Sequence, residues 1–238
     1  MMHVQANEIS KEYEDFLYVI SHDFSSPIRQ VREFTKLLVN DISEGDLSQK
    51  NQEHVYFINK SVNRLLDMQT SLLELSRVTT RGSDFEDINT NLIVQNILKT
   101  IKKKSSGKNV MILSDELPEA YGDKLQIQSV FEKLISNALK FKKPDTDCKI
   151  IISGYENENL STFFIKDNGI GIEKEYRKEV FRIFRRLNAP EKYLGIGAGL
   201  TYCKKVIERH QGKIWLDPVT TEGTKVCFSI PKERLEFH

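Results

Sequence analysis

His22 and Asp23 stand side by side, with Ser21 before them and Pro27 four residues beyond. Imidazole is a good nucleophile near neutral pH because its pKa lies in that range. The adjacent carboxylate can take the proton of the ring nitrogen that does not attack, or hold the tautomer. Further along come Asn137-Ala138-Leu139-Lys140-Phe141, then Asp167-Asn168-Gly169-Ile170-Gly171-Ile172, then Gly195-Ile196-Gly197-Ala198-Gly199-Leu200. Asn137 and Lys140, three apart, project from one side of a helix. An amide oxygen suits a hard cation such as Mg²⁺, and an ammonium neutralises phosphate oxygens. Asp167 directly follows an apolar run, and the two glycines after it let the backbone approach a flat ligand. A carboxylate there can accept a hydrogen bond from an exocyclic amine, which suits adenine better than phosphate. Gly195, Gly197 and Gly199 alternate just before a helix that starts near Leu200, a nest of backbone N–H groups for a phosphate chain. Taken singly, each block has an ordinary reading as a surface histidine, a helix end or a simple turn. Their order is what points to a nucleotide held at one end of the chain and a reactive histidine at the other.

These groups need elements to position them. Residues 7–78 read as two long helices. In the first, Ile9, Tyr13, Phe16, Ile20, Phe24, Ile28, Val31 and Leu38 recur mostly at steps of three or four; in the second, Val55, Ile58, Val62, Leu65 and Leu72 do so, with Leu66 and Met68 filling in around Gln69. His22 is two residues from Ile20 and from Phe24, about 200° round the helix from each. It shares its face with Asp15, Tyr18, Ser25 and Arg29, so its ring is expected to reach solvent. Pro27 removes one backbone donor and loosens the helix beside the reactive group. A turn-rich connector, residues 41–48, joins the two helices. A hairpin of this length cannot bury both stripes alone, so pairing with a second copy into a four-helix bundle is predicted.

Residues 81–88 read as a linker. Beyond it helices are predicted over 89–103, 123–140 and 200–210, and strands over 110–113, 149–153, 162–166, 213–216 and 224–230. The expected fold is an α/β sandwich, a mixed sheet with helices on one face. Phe181 and Phe184 anchor one edge of a segment over 188–194, and Arg185 or Arg186 could reach a γ-phosphate or simply form a solvated basic end.

The 238 residues suffice for one large or two small domains, and the formal net charge of +1 gives no reason to expect nucleic acid or an anionic membrane as a partner. No apolar run approaches the roughly 20 residues that span a bilayer. Cys148, Cys203 and Cys227 lack Cys-x-x-Cys spacing and read as reduced, buried thiols in a cytoplasmic protein.

Together the blocks resemble a sensor histidine kinase of two-component systems, over nearly the whole chain. Residues 16–24 are similar to that family's H box, especially in the phytochrome-like branch; 137–141 to the N box, 167–172 to the first glycine box, 181–187 to the F box and 195–200 to the second. Glu222-Gly223-Thr224 before an apolar strand is similar to its last glycine block. The resemblance implies a dimerisation and phosphotransfer hairpin over 1–80, the linker, and an ATP-binding domain over 89–238. It makes His22 the phosphoacceptor and Asp23 its general base, and implies ATP as donor with Mg²⁺ on Asn137. The nucleotide set it implies is Asn137, Lys140, Phe141, Asp167, Gly169, Gly171, Ile172, Arg186, Gly195, Gly197, Gly199, Leu200 and Thr224, with 188–194 as the ATP lid. The implied partners are a second copy and the receiver domain of a response regulator, whose aspartate takes the phosphoryl group.

Two positions depart from the family pattern. Lys133 stands one turn before Asn137, where the N box usually has a second asparagine, and a lysine there could salt-bridge a phosphate or displace a metal contact. Ser25-Ser26 precedes Pro27 where many members have Arg-Thr. The alternative function is a catalytically weakened scaffold that binds a regulator or a partner kinase. A third reading, an ATPase related to chaperones or topoisomerases, would require a glutamate at position 133.

Overall fold

The computed structural model describes residues 2–43, 49–104, 110–144, 146–187, 193 and 195–233, with side chains of the first helix described at 20 and from 22 to 42. The connector loop and most of the expected lid therefore lie outside the described residues, as do the side chains of Ile9, Tyr13, Asp15, Phe16 and Tyr18. The chain divides into two compact units, 1–73 and 74–238. Among the described residues no helix is long and apolar enough to cross a membrane.

The first unit consists of α1 (Met2–Ser43) and most of α2 (Gln49–Thr80), running antiparallel. Phe34 stacks on Phe57 at 4.8 Å, and Ser61 Oγ donates to Gln30 Oε1 at 3.1 Å. The expected stripes need correction. Pro27 and Ser61, outside the expected stripes, are buried within the hairpin along with the expected Met68, whereas Ile28, Val55 and Val62 are exposed. The two helices thus half-bury Phe24, Val31, Leu38, Ile58, Leu65 and Leu72 of the expected stripes and add Pro27 and Ser61 to them. Ile28, Val55 and Val62 face outward, together with Leu66 and Leu73.

The second unit is built on a five-stranded sheet of order β2-β4-β5-β7-β6, comprising Val110–Ser114, Cys148–Glu156, Leu160–Asp167, Lys225–Pro231 and Lys213–Leu216. Only β2 and β4 run parallel; the other pairs are antiparallel. Three helices pack on it: α3 (Thr90–Lys104), α4 (Lys124–Lys140) and α5 (Gly199–Arg209). In α4 the buried positions are Gln126, Ile127, Val130, Phe131, Leu134, Ile135 and Ala138, a stripe of helical period. Phe131 meets Phe163 of β5 and Phe228 of β7 at 5.5 and 5.4 Å, so one aromatic cluster binds helix to sheet. All three cysteines are free and buried, as read from the sequence.

The stretch expected as linker is not unstructured. Glu86–Ile88 forms β1 and pairs antiparallel with β3 (Ala120–Gly122). A polar network holds the chain just before it. The carboxylate of Asp123 caps α4 by accepting from Gln126 N at 3.1 Å and also accepts from Ser83 N at 2.7 Å and Arg209 Nη1 at 3.1 Å. His210 Nε2 accepts from Asp123 N at 2.9 Å, its Nδ1 lies 2.7 Å from the Val206 carbonyl, and Phe85 stacks on the ring at 4.6 Å. The imidazole must therefore be neutral, with its proton on Nδ1.

Burial holds the pKa of His210 below the ordinary imidazole value. The Val206 carbonyl and Asp123 oppose that shift, and Arg209 adds to it. The unfolded chain then binds the proton first. The stability this residue contributes is complete above about pH 6.5 and is lost as pH falls from there through the folded value. Denaturant midpoints followed by Trp215 in β6, the sole tryptophan, should fall between about pH 7 and about pH 5, and the His210→Gln variant should fall less steeply. Equal slopes for the two proteins would refute this account.

Candidate nucleotide site and phosphoacceptor

Four segments far apart in sequence meet at one end of the sheet. Asp167 is the last residue of β5. Its Oδ1 accepts from Gly169 N at 2.8 Å and from Thr224 N at 3.1 Å, while its own N–H donates to the Thr224 carbonyl at 2.8 Å. Burial raises its pKa, and the two backbone N–H bonds oppose the shift. Gly223 makes this clasp possible: its φ is +68°, and a side chain there would overlap the Asp167 carbonyl. Ile170 N donates to the Phe141 carbonyl at 3.0 Å, which ties the turn after β5 to the end of α4. Gly171 lies beside the Gly223 carbonyl, and Ile172 is half-buried just past the turn. Asn168 fastens the start of β4, donating to Asp147 O and accepting from Lys149 N, each at 2.9 Å.

The last turns of α4 face the second glycine loop. Lys140 Nζ lies 3.0 Å from where a Gly195 side chain would begin, and Asn137 Nδ2 lies 3.9 Å from the same point on Gly199. The start of α5 has Ala198 at its cap and no side-chain cap bond, whereas Asp123 caps α4. Uncapped amides at a helix N-terminus are donors for an anion. Leu200 packs against the core behind them. Gly197 has φ +84°, and a side chain there would stand 2.5 Å from the Arg185 carbonyl. That close approach locks the glycine loop onto the segment after Phe184, itself buried and left-handed at φ +59°. Arg186 Nη2 donates to the Tyr193 carbonyl at 2.7 Å, and the Tyr193 ring lies 5.0 Å from Phe141. The pKa of Lys140 is lowered, first by burial and then by Arg186. Two cations that repel one another beside uncapped amides make a site that a polyanion relieves.

Every nucleotide residue expected from the sequence thus lies in this one neighbourhood, apart from the lid positions outside the described residues. The surroundings also bear on Mg²⁺. Among the described residues no cluster of three or more His, Cys, Asp or Glu side chains can hold a metal. Asn137, beside the uncapped amides, offers one hard oxygen, which fits a cation carried mainly by phosphate oxygens.

Lys133 does not join this set. Its Nζ pairs with Glu74 Oε2 at 3.1 Å and lies 4.5 Å over the Tyr202 ring. Sequence reasoning left it to salt-bridge a phosphate or displace a metal contact; its partner is instead Glu74, 59 residues away in sequence. Lys133→Ala should therefore change nucleotide affinity less than about threefold and stability by under about 1 kcal/mol, since the pair is part-exposed. Calorimetric titration with ADP and a denaturant melt check both, and a tenfold affinity loss would contradict the assignment.

The other reactive group belongs to the helical unit. The His22 side chain is 72% exposed, and its Nδ1 lies 3.1 Å from Asp23 Oδ1. Asp23 therefore engages the proximal ring nitrogen. Pro27 is buried in the helix one turn on.

Comparison with known proteins gives these geometries a context. Residues 122–234 match the family model described as "Histidine kinase-, DNA gyrase B-, and HSP90-like ATPase". The chain is 35% identical over 234 residues to cyanobacterial phytochrome B of Nostoc sp. strain PCC 7120, covering 96% of this chain and 31% of that protein. It is 33% identical over 220 residues to the phytochrome-like protein Cph1 of Synechocystis sp. strain PCC 6803, covering 92% and 29%. The chain thus spans less than a third of the length of either. Among solved structures, histidine kinase ThkA in complex with response regulator protein TrrA shares the fold at a TM-score of 0.67, with 20% identity over 95% of this chain and 64% of that one.

Proposed function

We propose, from the premise that the chain belongs to the sensor histidine kinases and is related to their phytochrome branch, that it is an ATP-dependent autokinase whose phosphoacceptor is His22. The observation that carries this reading is the convergence of Asp167, Asn137, Lys140 and the uncapped α5 N-terminus on one site, in a chain that also exposes a histidine bonded to a carboxylate.

In this reading Asp167 Oδ1 is held by two backbone N–H groups, so Oδ2 accepts from the adenine amine. Phe141 and Tyr193 border the base. Lys140, Arg186 and the amides after Ala198 neutralise the phosphates. Asn137 would help to hold Mg²⁺, which would supply charge neutralisation. His22 Nε2 attacks the γ-phosphorus, the bond from that phosphorus to the β,γ-bridging oxygen breaks and ADP leaves with its electron pair, while Asp23 accepts the Nδ1 proton as general base. Catalysis is positioning and electrostatics, as a loose phosphoryl-transfer transition state requires.

The working division is a phosphotransfer hairpin over 1–80, a joint over 81–88 and an ATP-binding domain over 89–238. The outward row of Ile28, Val55, Val62 and Leu66 supports a homodimeric four-helix bundle. A response-regulator receiver domain is the proposed acceptor of the phosphoryl group, and the cytoplasm the proposed compartment. The scaffold alternative draws on Lys133 and loses its motive with that side chain turned to Glu74. Incubation with Mg²⁺ and γ-labelled ATP tests the proposal. Acid-labile label on the chain, chased onto a receiver domain, is the expected result. Steady hydrolysis without phosphoprotein would replace it with an ATPase.

A further inference from the structure

The second unit holds another concavity, away from the residues of the nucleotide site. Its volume is about 280 Å³, and its lining includes Arg77, Arg81, Ser83, Ser129, Lys133 and Tyr202. We propose that this cleft binds a phosphate group, either as the free ion or as the monoester of a small molecule. The proposal goes beyond the kinase reading and does not depend on it.

Charge carries the proposal. Two acids also line the cleft, and both are answered. Glu74 is paired with Lys133 at 3.1 Å, and Asp123 accepts from two backbone N–H groups and from Arg209. Arg77 and Arg81 have no carboxylate within ion-pair distance among the described residues. Arg81 N donates to the Arg77 carbonyl at 3.0 Å, so the helical turn continues past the end of α2 and both guanidinium groups stay on one face. Two planar forks one turn apart match the oxygens of a phosphate better than a single carboxylate. Lys133 can keep Glu74 and still offer a proton, because an ammonium has three donors.

The ordinary account of Arg77 and Arg81 is that cations suit the C-terminal end of α2. It explains their charge but not a cleft that α4 and α5 close from the other side with Ser129 and Tyr202. Size narrows the ligand. The cleft falls just below the roughly 300–1,000 Å³ of sites for drug-sized molecules, so it suits a phosphate bearing few carbons and not a second nucleotide.

The test uses the full chain saturated with Mg²⁺ and ADP, so that the nucleotide site is filled. Inorganic phosphate and glycerol 3-phosphate are titrated separately by calorimetry. One saturable site per chain is expected, weakened at least about tenfold in Arg77→Gln/Arg81→Gln and by a smaller factor in Arg81→Gln, with ADP affinity unchanged in both. Tighter binding of inorganic phosphate identifies the free ion as the ligand, and tighter binding of glycerol 3-phosphate identifies a monoester. Binding that fails to saturate, or that is unchanged in the double variant, overturns the proposal. The readout is independent of phosphoryl transfer, so its failure leaves the kinase reading intact, and loss of kinase activity would leave it untouched.

Discussion

Replacing His22 by glutamine should reduce acid-labile phosphoryl incorporation by about a thousandfold or more, to the level of background, while ADP affinity stays within about twofold. Glutamine keeps the size and polarity of the side chain and removes the imidazole nitrogen proposed as the nucleophile. Exposure singles out the residue. Its side chain is 72% exposed against 16% for His54, and His210 is 3% exposed with both ring nitrogens engaged by backbone. His22 is therefore the most exposed of the histidines whose side chains are described. Asp23→Asn should act less severely, by about 10²–10⁴-fold, because it leaves the nucleophile and removes only the partner of Nδ1. The check is phosphoprotein counted after acid and after alkali. Acid-labile label persisting in the glutamine variant would move the phosphoacceptor elsewhere, and a parallel loss of ADP binding would mean that the substitution acts through folding.

The site was more legible than the scaffold. Asp167 through Ile172 and Gly195 through Leu200 can be read locally because each block contains its own turn and its own donors. The residues that lock the blocks together are remote: Thr224 meets Asp167 across 57 positions, and nothing near Gly223 in sequence says that its missing side chain makes room for the Asp167 carbonyl. The longer strands of the sheet follow from β-branched and aromatic runs. Strands β1 and β3, of three residues each, carry too few positions to display a period. Ser83 and Asp123 face the same limit, since a polar network spread over α4, α5 and the joint leaves no pattern in any one of them. In the hairpin, hydrophobicity ranked Ile28 and Val62 above Pro27 and Ser61, yet Pro27 and Ser61 are the buried pair. Ile28, Val55 and Val62 are left on an outer surface, while Phe24, Val31, Leu38, Ile58, Leu65 and Leu72 keep the half-buried places that the stripe gave them.

Asp167→Asn should weaken ATP binding by about 2–4 kcal/mol, roughly 30-fold or more, and cost the fold little by comparison. The clasp on Oδ1 sets the direction of this effect. Gly169 N and Thr224 N both donate to that oxygen, so an asparagine must place its amide oxygen there to keep them satisfied. Its NH₂ group then takes the place of Oδ2. Where the carboxylate would accept from the adenine amine, the amide now presents a donor to a donor. Rotating the amide to restore the acceptor would face two backbone N–H groups with another donor, which costs a similar amount. The substitution therefore cannot serve both partners, and the loss should persist in ADP, which shares the adenine, but not in inorganic pyrophosphate, which lacks it. Gly223→Ala separates this from simple damage. It should destabilise the second unit, because its side chain would overlap the Asp167 carbonyl at a φ of +68°. It should therefore lower the denaturant midpoint along with ADP affinity. An Asp167→Asn protein whose midpoint falls as far as that of Gly223→Ala, or whose pyrophosphate affinity falls as far as its ADP affinity, would show Asp167 to be a packing residue of the turn and not the group that reads the base.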